Sequence, residues 1–201
     1  MENFDSDFDA EGTKCEVIDG IVYGEPRYEI IGGVKFIMSP APTLDHSTII
    51  GRLFVEFFNY IIKKNAKAAI FSDNTDVYFS EKEHFMPDLC IVCNPEIVKT
   101  RKKIIGVPDL IVEVLSESTM KNDIGKKKDI YEKYGVKEYW IVDPWSKRVE
   151  VYHLIDNKFE LNEVYKVYTD EDSKTKTNIK VSIFDDLIID INNIFKWWFD
   201  D

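Results

Sequence analysis

The stretch 107–144, VPDLIVEVLSESTMKNDIGKKKDIYEKYGVKEYWIVDP, constrains the fold more than any other part of the chain. Two apolar runs, 109–115 and 138–143, read as strands, and a polar segment with helical spacing and three consecutive lysines lies between them. That order is a β-α-β-like unit. β-rich segments flank it on both sides, so the chain is expected to be mixed α+β with an α/β core. One residue breaks the apolar logic: Glu113 sits in the middle of the first run. A carboxylate inside a buried strand is costly unless a charged partner meets it.

At 201 residues the chain is long enough for a substantial core. Residues 1–13 carry five acids and no base and are expected to form a disordered tail; residues 14–201 are expected to form one domain. The acidic N-terminus does not read as a signal peptide, and no apolar run is long enough to span a membrane. The cytoplasm is therefore the default location, with no membrane partner. Cys90 and Cys93 lie in an apolar run without a second pair to complete a zinc site, and read as reduced strand residues.

The formal charge of −11 argues against a protein that grips nucleic acid through its overall field. The distribution says more. Residues 96–137 hold ten bases against seven acids, so the chain is locally basic in its middle. That suits contact with phosphate at one place, or a solvated lysine face.

In chain order, 16–23 and 28–36 read as N-terminal β-hairpins around Asp19-Gly20 and Gly32-Gly33. A helix follows over about 45–65, with Ile49, Ile50, Leu53, Phe54, Phe57 and Ile61 at helical spacing. His46 in its first turn is a capping or surface residue, or lies near an active site. Glu56 borders the apolar stripe. Strands are expected at 68–72, 75–80, 88–93, 148–155, 158–167 and 178–183, with a polar turn at 170–179 and an aromatic tail at 186–199.

Three residues form a candidate constellation. Asp88 opens one strand and Glu113 lies inside another, on the face shared by Asp109, Ile111 and Leu115. If those strands are neighbours, the two carboxylates converge, and hard oxygen ligands of this kind suit Mg²⁺, with Mn²⁺ as a substitute. Lys127 is the third. With 123–134 as one helix, Asn122 as N-cap and Gly135 as the C-terminal stop, Ile124, Ile130, Tyr131 and Tyr134 all fall within roughly 60° of Lys127. Lys126 and Lys128 fall roughly 100° to either side, where lysines reach water. Lys127 is thus aimed at the sheet and needs an anion. Asp123 would make a structural ion pair; Asp88 and Glu113 would make a phosphodiester-cleaving site.

The motif Val107-Pro-Asp-Leu-Ile-Val-Glu-Val-Leu-Ser116, then Asp123-(x)3-Lys127-(x)3-Tyr131, then Gly135-Val-Lys-Glu-Tyr-Trp-Ile-Val-Asp-Pro144, resembles the Uma-two family. That family belongs to the restriction-endonuclease-like PD-(D/E)XK superfamily. The resemblance extends to Pro87-Asp88, His46, Tyr28-Glu-Ile-Ile-Gly-Gly and Ser39-Pro-Ala-Pro. It implies a central mixed β-sheet flanked by helices, Mg²⁺-dependent endonuclease activity on DNA, and often a homodimer. Residue by residue, it implies Asp88 and Glu113 as the metal-holding acids. The superfamily's lysine would stand at position 115, where this chain has leucine; in the family the lysine has moved to the following helix, at the position of Lys127. The alternatives are a weakly active or inactive protein that binds nucleic acid or another partner on a nuclease fold, and a structural α+β protein with scattered ion pairs.

Overall fold

The computed structural model describes residues 16–18, 21–23, 27–37, 43–72, 75–116, 122–167 and 176–197. The expected tail at 1–13, the side chain of Asp123 and most of the polar turn at 170–179 lie outside the described residues.

The chain opens with two hairpins. Strands β1 (Glu16–Ile18) and β2 (Ile21–Tyr23) pair antiparallel, as do β3 (Tyr28–Ile31) and β4 (Val34–Ile37). The second turn uses Gly32 and Gly33 at φ 60° and 79°, a left-handed pair that matches the twist of a two-residue hairpin. Helix α1 (Leu44–Lys64) starts where the Thr43 hydroxyl accepts the His46 N–H, and it stops at Asn65, which adopts a left-handed conformation. Its stripe of Ile49, Ile50, Leu53, Phe57 and Ile61 is buried as the spacing predicts.

Strands β5 (Ala69–Ser72), β6 (Val77–Ser80), β7 (Glu83–Phe85), β8 (Leu89–Val92), β9 (Ile104–Ile105) and β10 (Leu110–Val114) follow. The expected single helix over 123–134 is corrected. Asn122–Lys127 is a π-helical turn that runs directly into helix α2 (Lys128–Tyr134), so Asn122 is not an N-cap. The wider turn closes on i+5, so a wheel of about 100° per residue fails ahead of Lys127 and holds beyond it. The helix ends at Gly135 (φ 90°) as expected.

After α2 come β11 (Glu138–Asp143), β12 (Arg148–Ile155), β13 (Lys158–Lys166), β14 (Asn178–Lys180), β15 (Ile188–Asp190) and helix α3 (Ile191–Phe195). The expected strand at 178–183 is shorter, because the chain turns after Lys180 to pair with β15. The aromatic tail holds a strand and a short helix that periodicity did not reveal.

The central sheet has six strands in the order β13-β12-β11-β10-β8-β5. Only β10 and β11 run parallel; the other neighbours are antiparallel. Helix α1 and α3 cover one face, which buries Leu89, Ile91, Leu110, Val112, Trp140, Val142 and Val151. A five-stranded sheet in the order β4-β3-β7-β6-β9, together with α2, contributes to the core on the other face, around Cys90, Ile111, Tyr131, Tyr139 and Ile141. β10 is buried along its whole length because both faces are covered, which is why it reads as a continuous apolar run. The mixed α+β expectation, with a mixed sheet, flanking helices and N-terminal hairpins, holds.

Candidate active site

β8 and β10 are antiparallel neighbours, with Leu89 opposite Val112. Carrying that register on by one residue brings Asp88 opposite Glu113. The approach is direct: Asp88 Oδ2 accepts the backbone N–H of Val114 at 2.7 Å. Glu113 shares its face with Ile111 and Leu115, which pack in the core between the two large sheets.

Glu113 is 2% exposed, and two donors meet its Oε1. The Lys127 ammonium lies 3.2 Å away, and the Tyr131 hydroxyl donates at 2.7 Å. Lys127 is itself 2% exposed, so the sequence reading of its direction holds, and its ammonium pairs with the Glu113 side of the site. Burial pushes the Tyr131 hydroxyl well above its usual pKa, and the negative charges of Glu113 and Glu29 push it the same way. It therefore stays protonated and keeps donating.

Sequence reasoning gave no role to Glu29. This residue of β3, 5% exposed, accepts from Lys127 at 2.9 Å through Oε1, which also takes the N–H of Met86 at 3.2 Å. A lone acid in the run Tyr28-Glu-Ile-Ile was the available signal, yet local pattern could not bring it to Lys127. His46, left open between cap and site, is buried with Nε2 3.2 Å from Asp88 Oδ2. Its backbone N–H serves the helix cap while its ring serves the acid.

Other candidates fall away from this cluster. Asp109 accepts the Cys93 N–H at 2.7 Å and pairs with Lys137 at 2.6 Å, a structural role at the strand entrance. Glu56 accepts from the Asn193 side chain at 3.2 Å and ties α1 to α3. Lys126 is exposed beside Phe36, and the Lys128 ammonium sits 3.6 Å from the Tyr152 ring centroid. Cys90 and Cys93 are free thiols whose side chains pack into different cores.

The donor set can be tested against a divalent cation. Among the described residues no group of three or more His, Cys, Asp or Glu is arranged to hold a metal. Mg²⁺ does not require one: it is commonly held by one or two carboxylates, with substrate phosphate and water completing the shell. Two hard carboxylates on adjacent strands, Asp88 and Glu113, fit that pattern.

The Uma2 family, described as "Putative restriction endonuclease", matches residues 9–179, and the chain belongs to this family. It is similar to an uncharacterized protein, slr1290, of Synechocystis sp., with 29% identity over 145 residues that cover 72% of this chain and 68% of the relative. Its fold matches a crystal structure described as "a putative nuclease belonging to DUF820" from Anabaena variabilis, with a TM-score of 0.65 and 23% identity over 85% of this chain and 90% of that one. Among the described residues no helix is long and apolar enough to cross a membrane.

Proposed function

We propose that the protein is a divalent-metal-dependent endonuclease that hydrolyses phosphodiester bonds of DNA. Membership of a family described as "Putative restriction endonuclease" supports the reaction class. The observation that carries the residue assignment is the buried meeting of Glu113 and Lys127, with Asp88 bonded to the next residue of the same strand. Natural cores avoid such charges unless they are paired, and a buried charged set beside a second carboxylate is a candidate functional site.

Asp88 and Glu113 are the residues that would hold Mg²⁺ or Mn²⁺. A bound divalent ion would polarise the phosphoryl oxygen and lower the pKa of a bound water. Lys127 supplies a fixed positive charge for the phosphate, where negative charge builds during in-line attack. Tyr131 fixes the orientation of Glu113 through its hydrogen bond, and His46 does the same for Asp88. The acidic overall charge confines phosphate attraction to this basic middle of the chain, and the salt dependence of binding is expected to scale with the number of phosphates that this region neutralises.

The test is cleavage of supercoiled plasmid by the purified protein with Mg²⁺ or Mn²⁺. Nicking is expected in metal and not in EDTA. Asp88→Ala and Glu113→Ala are expected to remove it, while Lys126→Ala keeps it. Equal loss in all three variants, or cleavage in EDTA, counts against the assignment. Running duplex DNA, single-stranded DNA and RNA in parallel identifies the substrate. Metal binding without cleavage of any of them moves the protein to the binding-only alternative.

A further inference from the structure

We infer that Glu29 is a positioning residue of this site: it holds the Lys127 ammonium in place so that Glu113 remains available to a cation. The inference rests on the nuclease reading and adds a residue from the N-terminal sheet to it. Three observations converge. Lys127 is wedged between two carboxylates from different sheets, and Glu29 at 2.9 Å is the closer, with Glu113 at 3.2 Å. Glu29 is almost fully buried, so its charge is not spread into water. The same Oε1 also takes the N–H of Met86, two residues ahead of Asp88. One carboxylate therefore touches both the lysine and the segment that delivers the first acid.

The physical argument is competition. An ammonium and a divalent cation seek the same Glu113 oxygens, and each repels the other. With Glu29 present, Lys127 keeps a second anion and can stay beside the site after a cation arrives. Without that anion, the lysine loses the closer of these two carboxylates, leans more heavily on Glu113 and opposes the cation directly. Glu29 thus sets how strongly the lysine competes.

The test is calorimetric titration of the full chain with Mn²⁺, a readout that does not depend on cleavage. Glu29→Gln is expected to bind Mn²⁺ about 10–100-fold more weakly than the parent, the range typical for partners that orient metal-holding groups. Removing the competitor as well, in Glu29→Gln with Lys127→Met, is expected to restore binding at least to the parent level, while cleavage stays lost. The double variant removes one carboxylate and one ammonium together, so the net charge of the cluster is unchanged. Glu83→Gln is the control for a merely structural acid of the same sheet, because Glu83 accepts the Gly32 N–H in the neighbouring turn; it is expected to bind Mn²⁺ like the parent. Glu29→Gln binding at parent strength, or a double variant as weak as Glu29→Gln, overturns the inference. A parent protein that takes up no Mn²⁺ overturns both this inference and the nuclease reading. A parent that binds Mn²⁺, with variants that follow the expected order but cut no nucleic acid, removes the nuclease reading and leaves the role of Glu29 standing.

Discussion

Two buried glutamates in the central sheet have opposite surroundings. Glu138 of β11 is fully buried and is met mainly by neutral donors: the Trp140 indole N–H at 2.6 Å, the Ser182 backbone N–H at 2.7 Å and the Ser182 hydroxyl, with the His153 ring at 3.9 Å. These donors come from its own strand and from the chain that follows β14, so the carboxylate works as a knot between the sheet and the C-terminal segment. Glu113 of β10 is met by an ammonium on a long side chain and by a tyrosine hydroxyl, and the register carried on from Val112 and Leu89 puts it opposite Asp88. A carboxylate saturated by fixed neutral donors has nothing left to exchange. A carboxylate balanced by a cation that it shares with a second carboxylate can trade part of that interaction for a metal. On the proposed function, this difference in partners, rather than burial, distinguishes Glu113 from Glu138, since both residues are at most 2% exposed.

The sharpest way to break this contrast is to remove the cation. Lys127→Met removes the ammonium that Glu29 and Glu113 share in the core, and urea unfolding is expected to show a loss of about 3–5 kcal/mol. A much smaller loss would mean that the ammonium is not the charge balance of the site. Glu138→Ala strips the partner from the indole and the two Ser182 donors, at a cost of about 1–3 kcal/mol for each buried group left unmet. Its folded fraction is nonetheless expected to bind Mn²⁺ as the parent does. Asp109→Asn is a smaller perturbation. Its partner Lys137 is largely exposed, and what is lost is chiefly charge assistance to the Cys93 N–H, about 1 kcal/mol with cleavage unchanged. Loss of cleavage in that variant would place Asp109 in the site after all.

The smallest effect is on pH dependence. Burial pushes the Cys93 thiol up from 9.0 to about 11, and the Asp109 charge adds to it. The folded state holds this proton more tightly than the unfolded state. The corresponding stability is complete below pH 9 and is lost as pH rises toward 11. Alkylation of Cys93 in a Cys15→Ser background is expected to be slow at pH 8 and to accelerate toward pH 11. Fast labelling at pH 8 would show that the thiol is not held in this environment.

Much of this arrangement was legible in the sequence, for reasons that can be named. Glu113 stood out because one acid interrupts a strand that is apolar on both faces. Lys127 stood out because helical spacing put it among tyrosines and isoleucines. Both are local signals. The geometry of the turn ahead of Lys127 was not legible: a π-helical turn differs from an α-helical one by a single residue of hydrogen-bond spacing, which apolar periodicity does not resolve over so short a segment. Glu29 and the ring of His46 were also out of reach, because their partners lie far along the chain, at Lys127 and Asp88. The same holds for the five-stranded sheet, whose β7 and β9 are only three and two residues long and carry little pattern of their own.

The most direct measurement compares isosteric changes at the two glutamates. Glu113→Gln and Glu138→Gln are assayed side by side for Mg²⁺-dependent plasmid nicking, with rates normalised to the folded fraction. Glu113→Gln is expected to fall to the EDTA background, while Glu138→Gln cuts at the parent rate despite lower stability. Equal rates in the two variants, whether both active or both dead, would contradict the assignment of Glu113 as the acid that serves the chemistry.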